Sequence, residues 1–428
     1  MNRYSSYSKS PLEWMGVIPS HWIYTKNRFG FKKWKNGKNE SDETLVLSLT
    51  IKGIKIKEDL SFGKSTESYI GHQLVEKGDI VFTPRDFDQT PILSDVSKYD
   101  GCISNLYIVD KTNERVLNHY INYYWYGLKY SVDYFKNFSY GIRFSFNRFQ
   151  FDEIPLLIPP LEEQTQIVSF LDTKTKKIDE LIEKTEQKIE LLKEKRTSLI
   201  NHCVTKGLNP DVEMKDSGVE WIGEIPSHWE TSQIKFVTQL FRGKFSHRPR
   251  NDQRFYNGEY PFIQTGDIVS SGKYLTNYTQ TLNEKGYSVS KEFPLNTLVM
   301  TISGNIGDVS ILKIKSCFPD SIIGFFPFKN TSVDFLYFVF SSLKNEFYKN
   351  STISTQMNLN IERVGSIKVP LLPKSEQTKI VEYLDEQTQK IDSTIEKETQ
   401  RTELLKEYRQ SLISEVVTGK VDVRNYNG

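Results

Sequence analysis

Two long stretches of the chain place mostly apolar residues at alternating steps of four and three, the spacing of a coiled-coil seam. Polar residues interrupt both seams, so neither helix should be stable alone. We therefore predict two long helices packed against each other, antiparallel by preference; packing of each helix on its own domain is the alternative. The seam positions are Ile178, Ile182, Thr185, Ile189, Leu192, Arg196, Leu199 and Cys203, and then Ile391, Ile395, Glu398, Thr402, Leu405, Arg409, Leu412 and Val416.

The segments outside these helices, roughly 23–155 and 230–368, have a different pattern. Short apolar or alternating runs divided by Gly, Asn and Asp predict strands, and aromatic-rich stretches predict helices. Each segment is therefore predicted to be a mixed α/β globule, and the fold class of the chain is α/β. The predicted strands include 44–51, 79–83, 102–109, 260–264 and 297–302, and the predicted helices cover 117–138 and 333–348.

The chain contains two internal repeats. The border segment 13–22 (EWMGVIPSHW) returns at 220–229 (EWIGEIPSHW), an offset of 207 residues (220 − 13). The block 163–205 returns without a gap at 376–418, an offset of 213 (376 − 163), with 26 of 43 positions identical. A duplicated frame around two unlike inserts indicates that the frame makes the same contact twice, whereas the inserts recognise different things.

Domain boundaries follow from this arrangement. Prolines precede both helices and suit a helix start, and a linker rich in Gly, Pro and Ser follows the first helix. With about 1.5 Å per residue, a 40-residue helix would span about 60 Å and could hold two domains a fixed distance apart. The predicted segments are 1–160, the first helix 161–207, the linker and second domain 208–373, the second helix 374–420 and a tail 421–428.

Composition limits the class of protein. The 428 residues are 37% hydrophobic and 26% charged, which is typical of a globular protein of two or more domains. No apolar run suggests a signal peptide or a membrane span, so we expect a cytoplasmic protein. Cys102, Cys203 and Cys317 lie far apart and are predicted to be buried free thiols. The net charge of +2 means that a nucleic-acid partner would depend on local basic patches.

Motifs of catalysis are incomplete. Ile158–Leu161 (IPPL) lacks the polar first and aromatic last residue of a methyltransferase loop, and Glu58 stands where a phosphate-binding loop ending in Gly63–Thr66 needs glycine. Asp320 could open a nuclease motif, but no carboxylate stands two residues before Lys329. His21 and His228, beside the repeated tryptophans, are better explained by packing or hydrogen bonding. We therefore expect no catalytic residue, no metal site and no cofactor in this chain.

Basic residues are concentrated shortly after each border. Residues 26–38 contain six cations and no anion, and residues 242–254 contain five cations and one anion. Clustered Lys and Arg with Asn, Gln and Gly suit loops that bind phosphates and reach into a groove; solvated surface loops are the alternative. The DNA-binding candidates here are Lys32, Lys33, Lys35, Asn36, Lys38, Arg242, Lys244, His247, Arg248 and Arg250.

A second group of candidates lies in polar loops. The offset of 213 pairs Arg143 with Gln356 and Asn147 with Asn360. Because Arg prefers guanine edges and Gln or Asn prefers adenine edges, such a difference could let two copies of one fold read different bases. Loops after predicted strands add further polar side chains. These candidates are Thr50, Lys52, Arg85, Arg143, Asn147, Gln264, Thr265, Asn305, Gln356 and Asn358.

The repeated borders, the IPLLIPPLEEQTQIVSFLD and IKVPLLPKSEQTKIVEYLDE blocks and the two KID–ELLKE–SLI helices resemble a type I restriction–modification specificity subunit over the whole chain. The resemblance implies two target-recognition domains that each read half of a bipartite site on double-stranded DNA, and an antiparallel coiled coil that sets the gap. It also implies two modification (methyltransferase) subunits carrying S-adenosylmethionine, and restriction (motor-nuclease) subunits that use ATP and Mg²⁺.

Two other functions stay open at this point. One is a coiled-coil protein–protein adaptor without DNA specificity, which a salt-dependent DNA retention assay would separate from a DNA reader. The other is a fused enzyme whose insert hides an unfamiliar nuclease, which cleavage or methylation by the isolated chain would reveal.

Overall fold

The computed structural model describes residues 2–32, 36–58, 68–85, 92–132, 134–135, 145, 147–349 and 359–426. Two compact units make up the chain: Met1–Glu186 together with Thr399–Gly428, and Gln187–Glu398. No helix in the described ranges combines the length and apolar character that a bilayer crossing requires.

The first unit contains mainly short antiparallel strands around one long aromatic helix. The pairs are β1·β2, β3·β11, β4·β5 and β6·β9, and a three-stranded sheet has the order β10-β7-β8. Its elements are β1 Tyr7–Lys9, β2 Val17–Pro19, β3 Ile23–Lys26, β4 Leu47–Thr50, β5 Gly53–Ile56, β6 Gln73–Val75, β7 Ile80–Phe82, β8 Ser94–Val96, β9 Gly101–Ile103, β10 Ile108–Asp110, α1 Asn118–Val132, α2 Arg148–Asp152, β11 Pro155–Ile158 and the start of α3 Leu161–Lys206.

The second unit is built on a five-stranded sheet of order β15-β23-β20-β21-β17, in which β17 pairs parallel to β21. The remaining pairs are β12·β13, β14·β24, β16·β18 and β19·β22. Its elements are β12 Met214–Asp216, β13 Glu224–Pro226, β14 Glu230–Gln233, α4 Ile234–Val237, β15 Thr238–Arg242, β16 Tyr256–Pro261, α5 Thr265–Ser270, β17 Tyr274–Leu275, β18 Thr281–Leu282, α6 Glu284–Ser288, β19 Glu292–Phe293, β20 Leu298–Thr301, β21 Val309–Leu312, β22 Ser316–Cys317, β23 Ile322–Pro327, α7 Val333–Ser342, α8 Lys344–Lys349, α9 Ile361–Ser366, β24 Lys368–Leu371 and the start of α10 Lys374–Val417.

Some predicted elements are divided in the structure. The single strand predicted at 102–109 is two strands, β9 and β10, separated by a turn at Ser104–Tyr107. The helix predicted at 333–348 is likewise divided, because Leu343 leaves helical geometry between α7 and α8 and is fully buried there. An apolar pattern cannot reveal such breaks, since the side chains on both sides of the break stay buried.

Each core combines a recognition domain with parts of both long helices. In the first unit, Ile167 and Leu171 of α3 pack in one cluster with Ile413 of α10 and the buried Trp125. The second unit repeats this with the other copies, because Ile380 and Leu384 of α10 pack in one cluster with Ile200 of α3. Each recognition domain is therefore anchored on the start of one helix and the end of the other.

The seam positions of both helices are buried or half-buried, as the periodicity predicts. In the first unit, Arg409 Nε lies 2.8 Å from Asp179 Oδ1. The equivalent pair in the second unit joins Arg196 Nε to Asp392 Oδ1, also at 2.8 Å. Residue numbers of the contacts fall along α10 as they rise along α3, because Lys188 pairs with Glu398 whereas Arg196 pairs with Asp392. The helices therefore pair antiparallel, which confirms the predicted coiled coil.

The repeated borders are held by a carboxylate at the start of each helix. Glu163 accepts the indole N–H of Trp22 at 3.0 Å and lies 2.7 Å from His21 Nε2. We call this arrangement the clasp; in the second unit Glu376 repeats it with Trp229 at 2.9 Å and His228 at 2.9 Å. The histidines therefore have the hydrogen-bonding role expected from the sequence.

The glutamine after each clasp carboxylate connects the helix start to the recognition domain. Gln164 accepts the backbone N–H of Leu117 at 2.8 Å and donates to the carbonyl oxygens of Arg115 and Pro159. Gln377 makes the corresponding bonds with Ser332, Asn330 and Leu372. Identical contacts at both copies explain why the Glu–Gln pair recurs in the sequence.

We predict that Glu163→Ala destabilises the first unit by about 2–3 kcal/mol, because the buried Trp22 N–H loses a charged acceptor. Glu376→Ala is the matched variant, since it removes the same two bonds at a carboxylate whose side chain is 36% rather than 4% exposed. We expect a loss of about 1 kcal/mol there, because water replaces part of the interaction. Urea unfolding with hydrogen exchange on peptides from each unit measures both; equal losses would contradict this explanation.

Candidate nucleic-acid interface

Three arginines of the second unit converge on one residue, Asp320, two on its carboxylate and one on its backbone oxygen. Arg248 Nη2 donates to Asp320 Oδ2 at 3.3 Å, and Arg250 binds the other carboxylate oxygen. Arg242 Nε donates to the backbone oxygen of Asp320 at 2.6 Å. We call these four residues the Asp320 cluster. All three arginines are exposed, so the cluster presents a concentrated positive surface that Asp320 holds in place.

The end of the five-stranded sheet positions this cluster. Arg242 closes β15 and pairs with Ile323 of β23, so the chain just before β23, which carries Asp320, lies beside it. The backbone N–H of Ile302, one residue beyond β20, bonds to Ser321. The exposed Asn305 follows in the same turn, so three strands bring Arg242, Asp320 and Asn305 to one end of the sheet.

The three guanidinium groups differ in how many of their N–H donors are already used in hydrogen bonds within the protein. Arg248 also donates through Nη1 to the backbone oxygens of Phe245 at 2.6 Å and His247 at 2.8 Å, so it fixes the loop itself. Within the described part of the chain, Arg242 and Arg250 use a single nitrogen each for side-chain bonding. Because a guanidinium has five N–H donors, these two keep donors for phosphate or a base.

The rest of the loop is tied to Asp252. His247 Nε2 lies 3.0 Å from Asp252 Oδ2, and its ring stacks on Phe255 with centroids 3.9 Å apart. Hydrogen bonds from Arg254 and His247 hold the pKa of Asp252 well below its usual range. His247 is thus a structural member of the loop, whereas Lys244 is exposed and takes part through its backbone bond to Phe318.

Gln264 lies just before α5 and pairs with a residue that the sequence did not single out. Its Nε2 donates to Gln280 Oε1 at 2.9 Å, and its backbone N–H bonds to Asp267 at 2.8 Å. Thr265 begins α5 and is half-buried. The two linked side chains are neutral amides, the chemistry that suits an adenine edge.

In the first unit the structure brings Asn36 and Lys38 together. Asn36 Nδ2 bonds to the Val109 oxygen at 3.1 Å and to Gln73 Oε1 at 3.3 Å. Lys38 Nζ donates to Asn105 Oδ1 at 2.7 Å on the exposed surface. Gln73 and Asn105 extend this polar group, although no local sequence signal indicates either residue.

The other candidates of the first unit lie on separate turns. Thr50 Oγ1 bonds to the Gly53 oxygen at 2.9 Å inside the turn between β4 and β5, where Lys52 is exposed. Arg85 is exposed after β7, and Lys32 is exposed beside Lys111. Lys33, Lys35, Arg143, Gln356 and Asn358 lie outside the described residues.

Asn147 has a structural role as a helix cap. Its side chain accepts the N–H of Gln150 at 2.9 Å, and the Gln150 side chain returns a bond to the backbone of Asn147 at 3.0 Å, which caps α2. Asn360, its repeat equivalent, caps α9 by accepting from Glu362. The spacing Asn-x-x-Gln is a capping signal that could have identified this role from the sequence.

Two cations of the first basic segment are neutralised by a carboxylate of their own domain. Lys26 and Arg28 both bind Glu153, and the hydrogen bond from Lys26 is the main cause of the lowered pKa of that carboxyl. The six-cation run therefore overstates the charge available to a ligand.

The cysteines are free and buried, as predicted. Burial raises the pKa of Cys203 to about 11 and that of Cys317 to about 12, so neither is a reactive thiolate at neutral pH. Within the described ranges, no group of three or more His, Cys, Asp or Glu side chains is placed to hold a metal ion.

The fold defines a duplicated protein in which a common helical frame carries two different α/β domains with polar and basic loops. The chain belongs to the family described as the type I restriction modification DNA specificity domain, whose model matches residues 32–191 and again 226–406. The predicted resemblance is thereby confirmed.

Known proteins of this kind resemble the chain in sequence and in fold. A type I restriction enzyme MjaVIII specificity subunit from Methanocaldococcus jannaschii is 28% identical over 295 residues, covering 65% of this chain and 64% of that relative. A structure from work on complex assembly and conformational transition of the type I R-M system has a TM-score of 0.71, with 15% identity, and covers 94% of this chain and 99% of its own. The HsdS subunit from Thermoanaerobacter tengcongensis has a TM-score of 0.53 at 15% identity, covering 96% and 100%.

We predict that Asp320→Ala loosens the loop 242–250, because the carboxylate that holds Arg248 and Arg250 is lost. Tryptic cleavage after Arg250 should become about fivefold faster, since exposed ion pairs of this kind contribute about 1 kcal/mol to local opening. Asp308→Ala is the control, because it removes an ion pair with Lys344 in the same unit. Unchanged cleavage after Arg250 would contradict the role given to Asp320.

Proposed function

We propose that this chain is the DNA sequence-recognition subunit of a type I restriction–modification complex. The observation that carries the proposal is the duplication: one frame, with the same clasp and the same helix pairing, supports two domains whose polar loops differ. Because the frame is repeated, its two copies could each bind a copy of the same partner protein in the same way. Divergence of the loops suits two different DNA half-sites.

In the second domain, the Asp320 cluster is the candidate for phosphate contact. Arg242 and Arg250 keep donors for a DNA backbone, and the planar guanidinium suits bidentate binding of phosphate or of guanine. Gln264 with Gln280 supplies a neutral amide pair for a base edge. In the first domain, Asn36 and Lys38 supply one amide and one cation at a shared surface.

The catalytic steps belong to partners in this proposal. The chain would dock two modification subunits, which carry S-adenosylmethionine, and restriction subunits, which use ATP and Mg²⁺. The MjaVIII relative is named as a specificity subunit, and this chain matches 64% of its length. A coiled-coil adaptor without DNA specificity is the alternative, and the family match to a DNA specificity domain favours the DNA reader.

Footprinting of the chain with its modification partner tests the proposal. We expect two short protected blocks on either side of a spacer whose sequence does not matter, because each domain reads one half-site. The isolated chain should neither cleave nor methylate the same duplex. One continuous protected block, or protection that ignores sequence, would refute the bipartite reader.

We predict that Arg250→Ala weakens DNA binding by the same complex about five- to tenfold and lowers the salt-dependence slope by about one, because one phosphate contact is lost. Lys215→Ala removes an exposed cation in β12 and serves as the control. Titrations at several salt concentrations measure both quantities. If Lys215→Ala and Arg250→Ala change the salt-dependence slope by the same amount, Arg250 does not make a specific phosphate contact.

A further inference from the structure

A half-buried lysine of the second unit binds two carboxylates from different elements. The Lys273 side chain is 12% exposed, and its Nζ lies 2.7 Å from both oxygens of Asp385 and 2.9 Å from Asp334 Oδ1. The ring of Phe338 lies 5.0 Å from the same ammonium group. Tyr274 donates its hydroxyl to Asp334 at 2.8 Å. We call Lys273, Asp334 and Asp385 the Lys273 latch.

The latch joins three parts of the second unit. Lys273 directly precedes β17, which pairs with β21 in the five-stranded sheet. Asp334 lies in the first turn of α7, and Asp385 lies on the long helix α10. The ammonium group therefore connects the sheet that ends in the Asp320 cluster to the helix that belongs to the frame.

Lys273 and Asp334 each favour the charged form of the other. Burial alone would lower the pKa of Lys273, but the hydrogen bonds that it donates to Asp385 and Asp334 raise it above its ordinary value. Burial alone would raise the pKa of Asp334, but the bond from Lys273 lowers it. The connection is thus an ion pair in a partly desolvated place, where it is stronger than a surface pair.

The first unit fills the equivalent place differently. Asp172 is the repeat equivalent of Asp385 (172 + 213), and it accepts a hydrogen bond of 2.7 Å from the hydroxyl of Tyr123 on α1. Tyr123 also lies 3.3 Å from Thr175 Oγ1. The same helix carboxylate therefore holds each domain, through a neutral hydroxyl in one and through a half-buried ammonium in the other.

We propose that the Lys273 latch fixes the second recognition domain on α10 and thereby determines how strictly the protein reads the spacing between two DNA half-sites. The inference rests on the proposed function. Asp385 acts through Lys273 and is a positioning residue. If the domain could tilt on its helix, duplexes with a longer or shorter spacer would fit more easily, whereas base contacts within each half-site would not change.

The test uses Asp385→Ala in the full chain with its modification partner. This variant cuts the link to α10 but leaves Lys273 paired with Asp334, so no half-buried charge is left alone. Binding is measured on duplexes with the native spacer and with one base pair added or removed. We expect discrimination against the altered spacers to fall about fivefold, the effect of a partly exposed ion pair, and discrimination within each half-site to stay unchanged.

Two variants serve as controls. Glu386→Ala removes a neighbouring carboxylate that pairs with Lys390 on the same helix, and it should leave spacer discrimination intact. Asp385→Glu keeps the charge and should restore much of the discrimination. The proposal is overturned if Asp385→Ala leaves the affinity ratio between native and altered spacers unchanged. It is also overturned if discrimination within each half-site falls by the same factor as discrimination between spacers. If the wild-type complex shows no bipartite specificity, the proposed function fails and the latch proposal fails with it.

Discussion

The pairing of charges between the two long helices constrains everything else in the molecule. Each copy of the repeat contributes one aspartate and one arginine to this pairing, Asp179 with Arg196 and Asp392 with Arg409, and each aspartate binds the arginine of the other copy. A parallel pairing in register would instead place Asp179 opposite Asp392 and Arg196 opposite Arg409, which repel. Each surface pair contributes about 1 kcal/mol or less, so its main effect is on orientation and register. Duplication of one helix thus specifies an antiparallel pair.

This pairing makes each core a composite of both copies. Ile167 of α3 shares a cluster with Ile413 of α10, and Ile380 shares one with Ile200. The recognition domains meet the frame through the clasp and the glutamine beside it, which use the same atoms in both units. Loops beyond these contacts can change without disturbing the frame. The division therefore lets the loops and the frame vary independently of each other.

The sequence predicted the features that depend on local or repeated patterns. The seam from Ile178 to Cys203, the antiparallel preference and the buried cysteines agree with the structure. It could not predict that Asp320 would gather Arg248 and Arg250, because these partners are some 70 residues away along the chain and no periodicity links them. The contacts of Gln280 and Lys273 could not be predicted for the same reason, because their partners are also distant along the chain. Asn147 differs from these residues, since the Asn-x-x-Gln spacing of its cap is visible in the sequence.

Net charge proved a poor guide to binding chemistry because the charges are organised locally. Glu153 neutralises Lys26 and Arg28 within the first domain, which removes two cations from the most basic segment. Asp320 has the opposite effect, since its carboxylate holds Arg248 and Arg250 and its backbone oxygen holds Arg242, so that three guanidinium groups stay close together. Without it, mutual repulsion and the rotamer freedom of arginine would spread them, and ordering them on DNA would cost affinity. An anion within a basic loop can therefore favour nucleic-acid binding, provided that it organises more positive charge than it cancels.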